Sequence, residues 1–138
     1  MNTVSQKALL SELQKVVPDE ILLDSEEAMR PFECDGLSVY RTLPLLVALP
    51  DSAGQVRKIL QTCHRLGVPV VTRGAGTGLS GGALPLEKGL LLVLTRMSRI
   101  LDIDVQNRTT RVEPGVRNLA VSEAVAPHGL YYAPDPSS

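Results

Sequence analysis

Five of the chain's eleven glycines fall within nine positions, Gly74 to Gly82, directly behind the β-branched and apolar run Val68 to Thr72. Glycine has no Cβ and enters positive φ freely, so successive N–H groups of such a loop can turn to one side and approach a ligand closely. The run before it predicts a strand, which would launch the loop from a fixed point at the end of a sheet. Backbone dipoles oriented in this way suit phosphate oxygens. Thr77 and Ser80 add hydroxyl donors, and Arg73 stands by as an auxiliary cation. The unbroken segment Arg73, Gly74, Ala75, Gly76, Thr77, Gly78, Leu79, Ser80, Gly81, Gly82 is therefore the candidate site for a diphosphate.

Three readings compete for this loop. The letters Gly76-x-Gly78-x-x-Gly81 satisfy the dinucleotide fingerprint, but that fingerprint also needs a helix opening at its glycines. Pro85 and Gly89 stand between Gly82 and the next apolar run at Leu90, which leaves no room for a crossover helix. A Walker loop fails because no glycine here is followed by Lys and then Ser or Thr. A plain glycine connection without a ligand is the third reading. Loops seldom carry so much glycine unless backbone must approach something.

Around the loop, Leu45 to Leu49, bounded by Pro44 and Pro50, predicts a short buried strand. Asp51 or Ser52 can cap a following helix in which Val56, Ile59, Leu60, Cys63 and Leu66 recur at threes and fours, with Gly67 in the left-handed terminal position. With Val68 to Thr72 this makes a βαβ unit whose strands are expected to be parallel and joined right-handedly. A first helix is expected over Val4 to Val17, stopped by Pro18, and Glu20 to Tyr40 reads as short turns and extended pieces. Leu90 to Leu94 predicts another strand, Ile100 to Asp104 and Thr109 to Glu113 a hairpin, and Arg117 to Ala126 a last helix before Pro127 and Gly129. The class is α+β, a parallel portion leading into a mixed one.

Composition narrows the function classes. At 43% apolar and 21% charged residues, the 138-residue chain has the balance of one globular domain. The net charge is −1 and the Lys and Arg residues form no basic run, so no nucleic-acid surface is advertised and a negative ligand must be held locally. No charged start precedes a long apolar stretch, and the chain reads as soluble and unexported. Cys34 and Cys63 lack metal-ligand spacing and are expected to be reduced thiols, with no metal site. His64 and His128 are expected to be structural, Cys63 a small core residue, and Glu113 the end of a strand before a turn. The turn-rich ending Pro134 to Ser138, with no element after it, reads as a chain cut in a loop.

Val70 to Gly82, Val112-Glu-Pro-Gly-Val116 and Tyr132-Ala-Pro-Asp-Pro-Ser-Ser138 together resemble the FAD-binding domain of the vanillyl-alcohol oxidase superfamily. Glu33 to Arg41 and Gly82 to Gly89 narrow the resemblance to the FAD-linked 2-hydroxy-acid dehydrogenase family, which holds the FAD-binding subunits of bacterial glycolate oxidases and the D-lactate dehydrogenases. The resemblance implies an α+β FAD-binding domain of the vanillyl-alcohol oxidase type, with an N-terminal βαβ subdomain and the start of a second, mixed-sheet subdomain. Residues 1–138 would be the N-terminal part of that domain, a helical lead over 1–43 and a flavin-binding core over 44–138, without the cap domain that carries catalytic and substrate-binding groups. It implies that the glycine loop wraps the FAD pyrophosphate and that Pro134, Asp135, Ser137 and Ser138 belong to the same cleft. Tyr131 and Tyr132 can line that cleft or pack in a core poor in aromatics. Implied too are oxidation of a small 2-hydroxy acid, glycolate foremost, and partners in one complex, a flavin-domain-like subunit and an iron–sulfur subunit. The complex would be cytoplasmic, held at the inner face of the membrane through those partners. Covalent members of the superfamily place a histidine at the end of the Arg-Gly-x-Gly loop. Thr77 stands there, so the FAD is expected to be noncovalent.

Overall fold

The structure, a computed structural model, describes residues 3–36, 39–78 and 80–134. Four strands form one sheet in the order β1 (Leu22–Leu23), β2 (Leu46–Ala48), β4 (Leu90–Val93), β3 (Val70–Arg73). β2, β4 and β3 are mutually parallel, while β1 pairs antiparallel with β2 through Leu22 opposite Ala48 and Leu23 opposite Val47. The two strands of the expected βαβ unit are thus parallel, but β4 lies between them. Every residue of β4 is buried, as the continuous apolar run required of a strand covered on both faces.

The period of two sorts that run into two cores. Leu46, Ala48, Leu90 and Leu92 face one layer, where they meet Leu9 and Leu13 of α1 (Gln6–Gln14) and Ile59 and Cys63 of α3 (Ala53–Leu66). Val47, Leu49, Leu91 and Val93 face the other, covered by Met29 of the short helix α2 (Glu26–Met29) and by Phe32 and Leu43. The irregular stretch from α2 to β2 is therefore a lid over the second face of the sheet, built among its described residues from α2, a 3-10 turn at Arg30–Phe32 and extended chain, whereas Ile21 and Leu22 ahead of it pack in the first core.

Local signals set the helix ends. The Ser52 hydroxyl accepts from the Gln55 N–H at 3.2 Å, and the Gln55 side chain in turn accepts from the Asp51 N–H at 2.9 Å. At the other end Gly67 has φ +70, and its N–H reaches back to the last turn. Ser5 and Ser25 cap α1 and α2 in the same way. α1 stops at Gln14, short of the expected Val17, which stays buried beyond the helix end. Leu60, expected on the apolar face of α3, is instead 41% exposed.

Beyond β4 the chain makes a separate hairpin, β5 (Ile100–Asp104) antiparallel to β6 (Thr109–Val112), and then α4 (Asn118–Val125). The tight turn is closed by Asp104, whose carboxylate accepts from the Asn107 N–H and side-chain amide, and Arg108 takes the left-handed conformation at φ +56. Glu113 was expected only to end a strand. It is buried just after β6 and accepts from the Arg99 N–H (2.9 Å), Nε (2.7 Å) and Nη2 (3.1 Å). Gly115 closes the same clasp, for a Cβ there would collide with the carbonyl oxygens of Leu94 and Met97. The Glu-Pro-Gly motif thus ties the exit of the hairpin to the exit of β4.

Two consequences can be measured. Ile59→Ala, at a fully buried position, is expected to cost about 2–5 kcal/mol in urea unfolding, whereas Leu60→Ala one residue away should cost less than about 1 kcal/mol. Equal losses would contradict the face assigned to α3. The hydrogen bonds from Arg99 hold the Glu113 carboxyl below its ordinary value. A carboxyl lowered on folding stabilises fully above its unfolded pKa, about 4.3, and loses that contribution as pH falls through the lowered folded value. The difference in melting temperature between the wild type and Glu113→Gln should therefore be widest near neutrality and shrink below about pH 4. A difference independent of pH would show that the charge contributes nothing.

Candidate functional site

Three parallel strands end side by side at Ala48, Val93 and Arg73, the edge of an open sheet at which ligands are usually held. Because β4 runs parallel to β3, the chain must return from the end of one to the start of the other. It does so over residues 74–89, with no helix among those described, as the spacing of Pro85 and Gly89 requires. The glycine loop is the first half of that return.

The loop has a packed side and an open side. Gly76 (φ +74) and Gly81 (φ +77) both adopt the left-handed conformation that side chains avoid. At Gly74, Gly78, Gly81 and Gly82 an added Cβ would meet nothing within 4 Å, and Thr77 and Ser80 are exposed. On the packed side a Cβ at Gly76 would collide with the Arg73 guanidinium. One at Gly36 would lie 2.5 Å from the Thr77 carbonyl oxygen and 2.8 Å from that of Gly78. Glycines with open space where side chains would stand, in a loop packed elsewhere against Gly36 and Arg73, are what close approach to a diphosphate needs. The loop residues therefore fit the group that the sequence implies.

Arg73, read from the sequence as an auxiliary cation, is only 8% exposed and turns toward the packed side. Its Nη1 donates to the carbonyl oxygens of Cys34 (2.5 Å) and Phe32 (3.4 Å), and the guanidinium lies 5.5 Å from the centre of the Phe32 ring. Phe32, Cys34 and Gly36 lie in the stretch that the sequence reads as short turns and extended pieces, and nothing in their spacing announces contact with a loop some forty residues away.

Leu79, Asp135, Ser137 and Ser138 lie outside the described residues. Pro134, the last described residue, is exposed. The segment leading to it lines a cleft of about 470 Å³ with β5, β6 and α4, walled by Ile103, Thr110, Val121, Val125, Tyr131 and Tyr132. No described residue of 73–82 lines that cleft. Tyr131 and Tyr132 are exposed on it and take no part in either core. His64 and His128 are exposed at helix ends, and Cys63 packs in the first core, where burial pushes its thiol up to about 11. Among the described residues no group of three or more His, Cys, Asp and Glu is placed to hold a metal ion.

The pattern of a family described as FAD binding domain matches residues 44–138. The glycolate oxidase subunit GlcD of Escherichia coli K12 is 64% identical over 135 residues, which are 98% of this chain and 27% of that protein. GlcD of Bacillus subtilis is 39% identical over 132 residues, 96% of this chain and 28% of that one. The chain thus spans little more than a quarter of these relatives. A solved alkyldihydroxyacetonephosphate synthase shares the fold, with a TM-score of 0.83 at 20% identity over 94% of this chain and 26% of that one.

In the protein that carries this chain, Gly76→Val forces a β-branched residue into positive φ, a strain of about 1–3 kcal/mol, and against the held guanidinium. FAD affinity is expected to fall by about ten- to a hundredfold, read as flavin absorbance per mole of purified protein. Undiminished flavin would return the loop to a plain connection.

Proposed function

Because the chain belongs to the FAD-binding-domain family, we propose that Arg73 to Gly82 cradles the pyrophosphate of FAD in an enzyme that oxidises a small 2-hydroxy acid, glycolate foremost. The observation that carries this reading is the two-sided loop at the end of β3, with open glycines over a buttressed underside. The identity to GlcD over nearly the whole chain supports the substrate class. Bound there, FAD supplies the acceptor for the hydride that leaves the hydroxyl-bearing carbon of the substrate. The part of this chain is to bind and orient. Backbone N–H groups and the Thr77 and Ser80 hydroxyls meet the diphosphate charge, which accords with a chain whose net charge is −1. The clamp on the substrate carboxylate and the base that takes the hydroxyl proton are assigned to the part of the protein that these relatives have beyond the matched quarter. As both relatives are named as subunits, the enzyme is read as one member of a complex. Electrons would then leave through a flavin-domain-like subunit and an iron–sulfur subunit.

The FAD is held noncovalently from this chain. Thr77 is exposed at the position where covalent relatives of the superfamily carry histidine, and a threonine hydroxyl without a base beside it is a poor nucleophile. The whole protein should reduce a dye with glycolate, and Gly76→Val should lower that rate in proportion to the flavin lost while the KM of the remaining holoenzyme stays put. Acid precipitation should release the yellow colour into the supernatant. Flavin retained in the washed pellet on a peptide containing Thr77 would refute the noncovalent assignment.

A further inference from the structure

We propose that residues 29–36, which precede the span matched by the family pattern, 44–138, are a working part of the cofactor site: seated on the second core, they set the position of the glycine loop through Arg73 and Gly36. This rests on the reading of the loop as the pyrophosphate cradle. Val71 packs against the second core, and the period of two along β3 puts Arg73, the root of the loop, on that same face. There it meets the segment. Its Nη1 donates to the carbonyl oxygens of Cys34 and Phe32, its guanidinium lies against the Phe32 ring, and on its other side Gly76 has no room for a Cβ. Gly36 makes a second approach to the loop, so close that a Cβ there would lie 2.5–2.9 Å from backbone atoms of Thr77 and Gly78.

The segment is in turn held by the sheet. Met29 is 2% exposed in the cluster of Val47, Leu91 and Val93, and Phe32 packs against the same cluster. The Glu33 carbonyl accepts from the Thr42 N–H at 2.7 Å, which ties the segment to the chain just ahead of Leu43, another residue of that layer. Phe32 thus serves the core and the guanidinium at once. Contact runs from the core through Phe32 and Arg73 to Gly76, and close-packed groups transmit a displacement along such a path. Ile59 belongs to the cluster on the opposite face of the sheet, with Leu46, Leu90 and Leu92. Two parts that hold each other in place are coupled reciprocally: what FAD gains from a loop positioned by the segment, the segment gains in order from bound FAD.

The test uses the whole protein stripped of flavin, with FAD affinity from fluorescence titration and the melting temperature of the apoprotein measured side by side. Met29→Ala and Ile59→Ala each empty a buried apolar site, on opposite faces of the sheet, and are expected to lower the melting temperature to a similar extent. Only Met29→Ala is expected to weaken FAD, by about five- to tenfold, and Met29→Leu, which refills the site, should bring the affinity back. In the wild type, FAD should slow amide hydrogen exchange at residues 32–36 more than along α1. Arg73→Lys, which keeps the charge without the planar fork, should reduce that slowing at saturating FAD. Equal losses of FAD affinity in Met29→Ala and Ile59→Ala, or a loss in neither, overturn the proposal. So does exchange at residues 32–36 that FAD leaves unchanged, which decides the matter should Met29→Ala fail to fold. If Gly76→Val keeps its flavin, the cradle reading itself has failed; if Gly76→Val loses flavin and Met29→Ala binds it as the wild type does, only the positioning by residues 29–36 has.

Discussion

Leu90–Val93 is buried on both faces and hydrogen-bonded on both edges, and most of the architecture follows from satisfying it. Four consecutive apolar residues leave no solvent face, so a layer is needed on each side. α1 and α3 form one layer, and the stretch carrying Met29, Phe32 and Leu43 forms the other. Parallel pairing with β3 then obliges the chain to travel the length of the sheet between Arg73 and Leu90. Such returns usually carry a helix. Here the described residues of the return form no regular structure, and its first half is the glycine loop that leaves β3. The site is thus the visible part of a topological necessity.

Much of this is legible in the sequence, for reasons that separate what can be read from what cannot. α3 announces itself by caps at Ser52 and Gly67 and by a period that Ile59 and Cys63 obey, although Leu60, one residue off that face, shows how coarse a period is near its margins. The strands at Leu46, Val70 and Leu90 are readable because buried parallel strands are continuous apolar runs. Their order is not. Whether β4 lies on the outer edge of β3 or between β3 and β2 depends on which edges are covered, and no local signal encodes it. β1 has two residues and no period at all. The loop was legible because glycine clustering has few other causes. Its buttress was invisible, since Phe32, Cys34 and Gly36 act through backbone atoms and an absent side chain.

The electrostatics of the loop follow from the same division. A diphosphate could be met by cations or by dipoles. The nearest arginine, Arg73, is turned away from the open side and compensated by two carbonyl oxygens and a ring face. Dipoles fixed by packing need no reorganisation when the anion arrives, whereas a long cationic side chain must give up rotamer freedom and water to do the same work.

Arginine does similar work twice in this chain, and the two cases differ in what neutralises the charge. Arg99 ties the exit of β4 to Glu113 with a carboxylate, and its own side chain is 68% exposed, so water screens much of that attraction. Arg73 ties the exit of β3 to Cys34 and Phe32 with neutral carbonyls, in a place where water is excluded and hydrogen bonds gain strength. Acid removes the charge from the Glu113 end of the first pair. The buried one is made to backbone carbonyl oxygens, which carry no charge for acid to remove. A loop that must hold its backbone to within a few tenths of an ångström gains from the second kind of anchor, and it is that anchor that stands directly beneath Gly76.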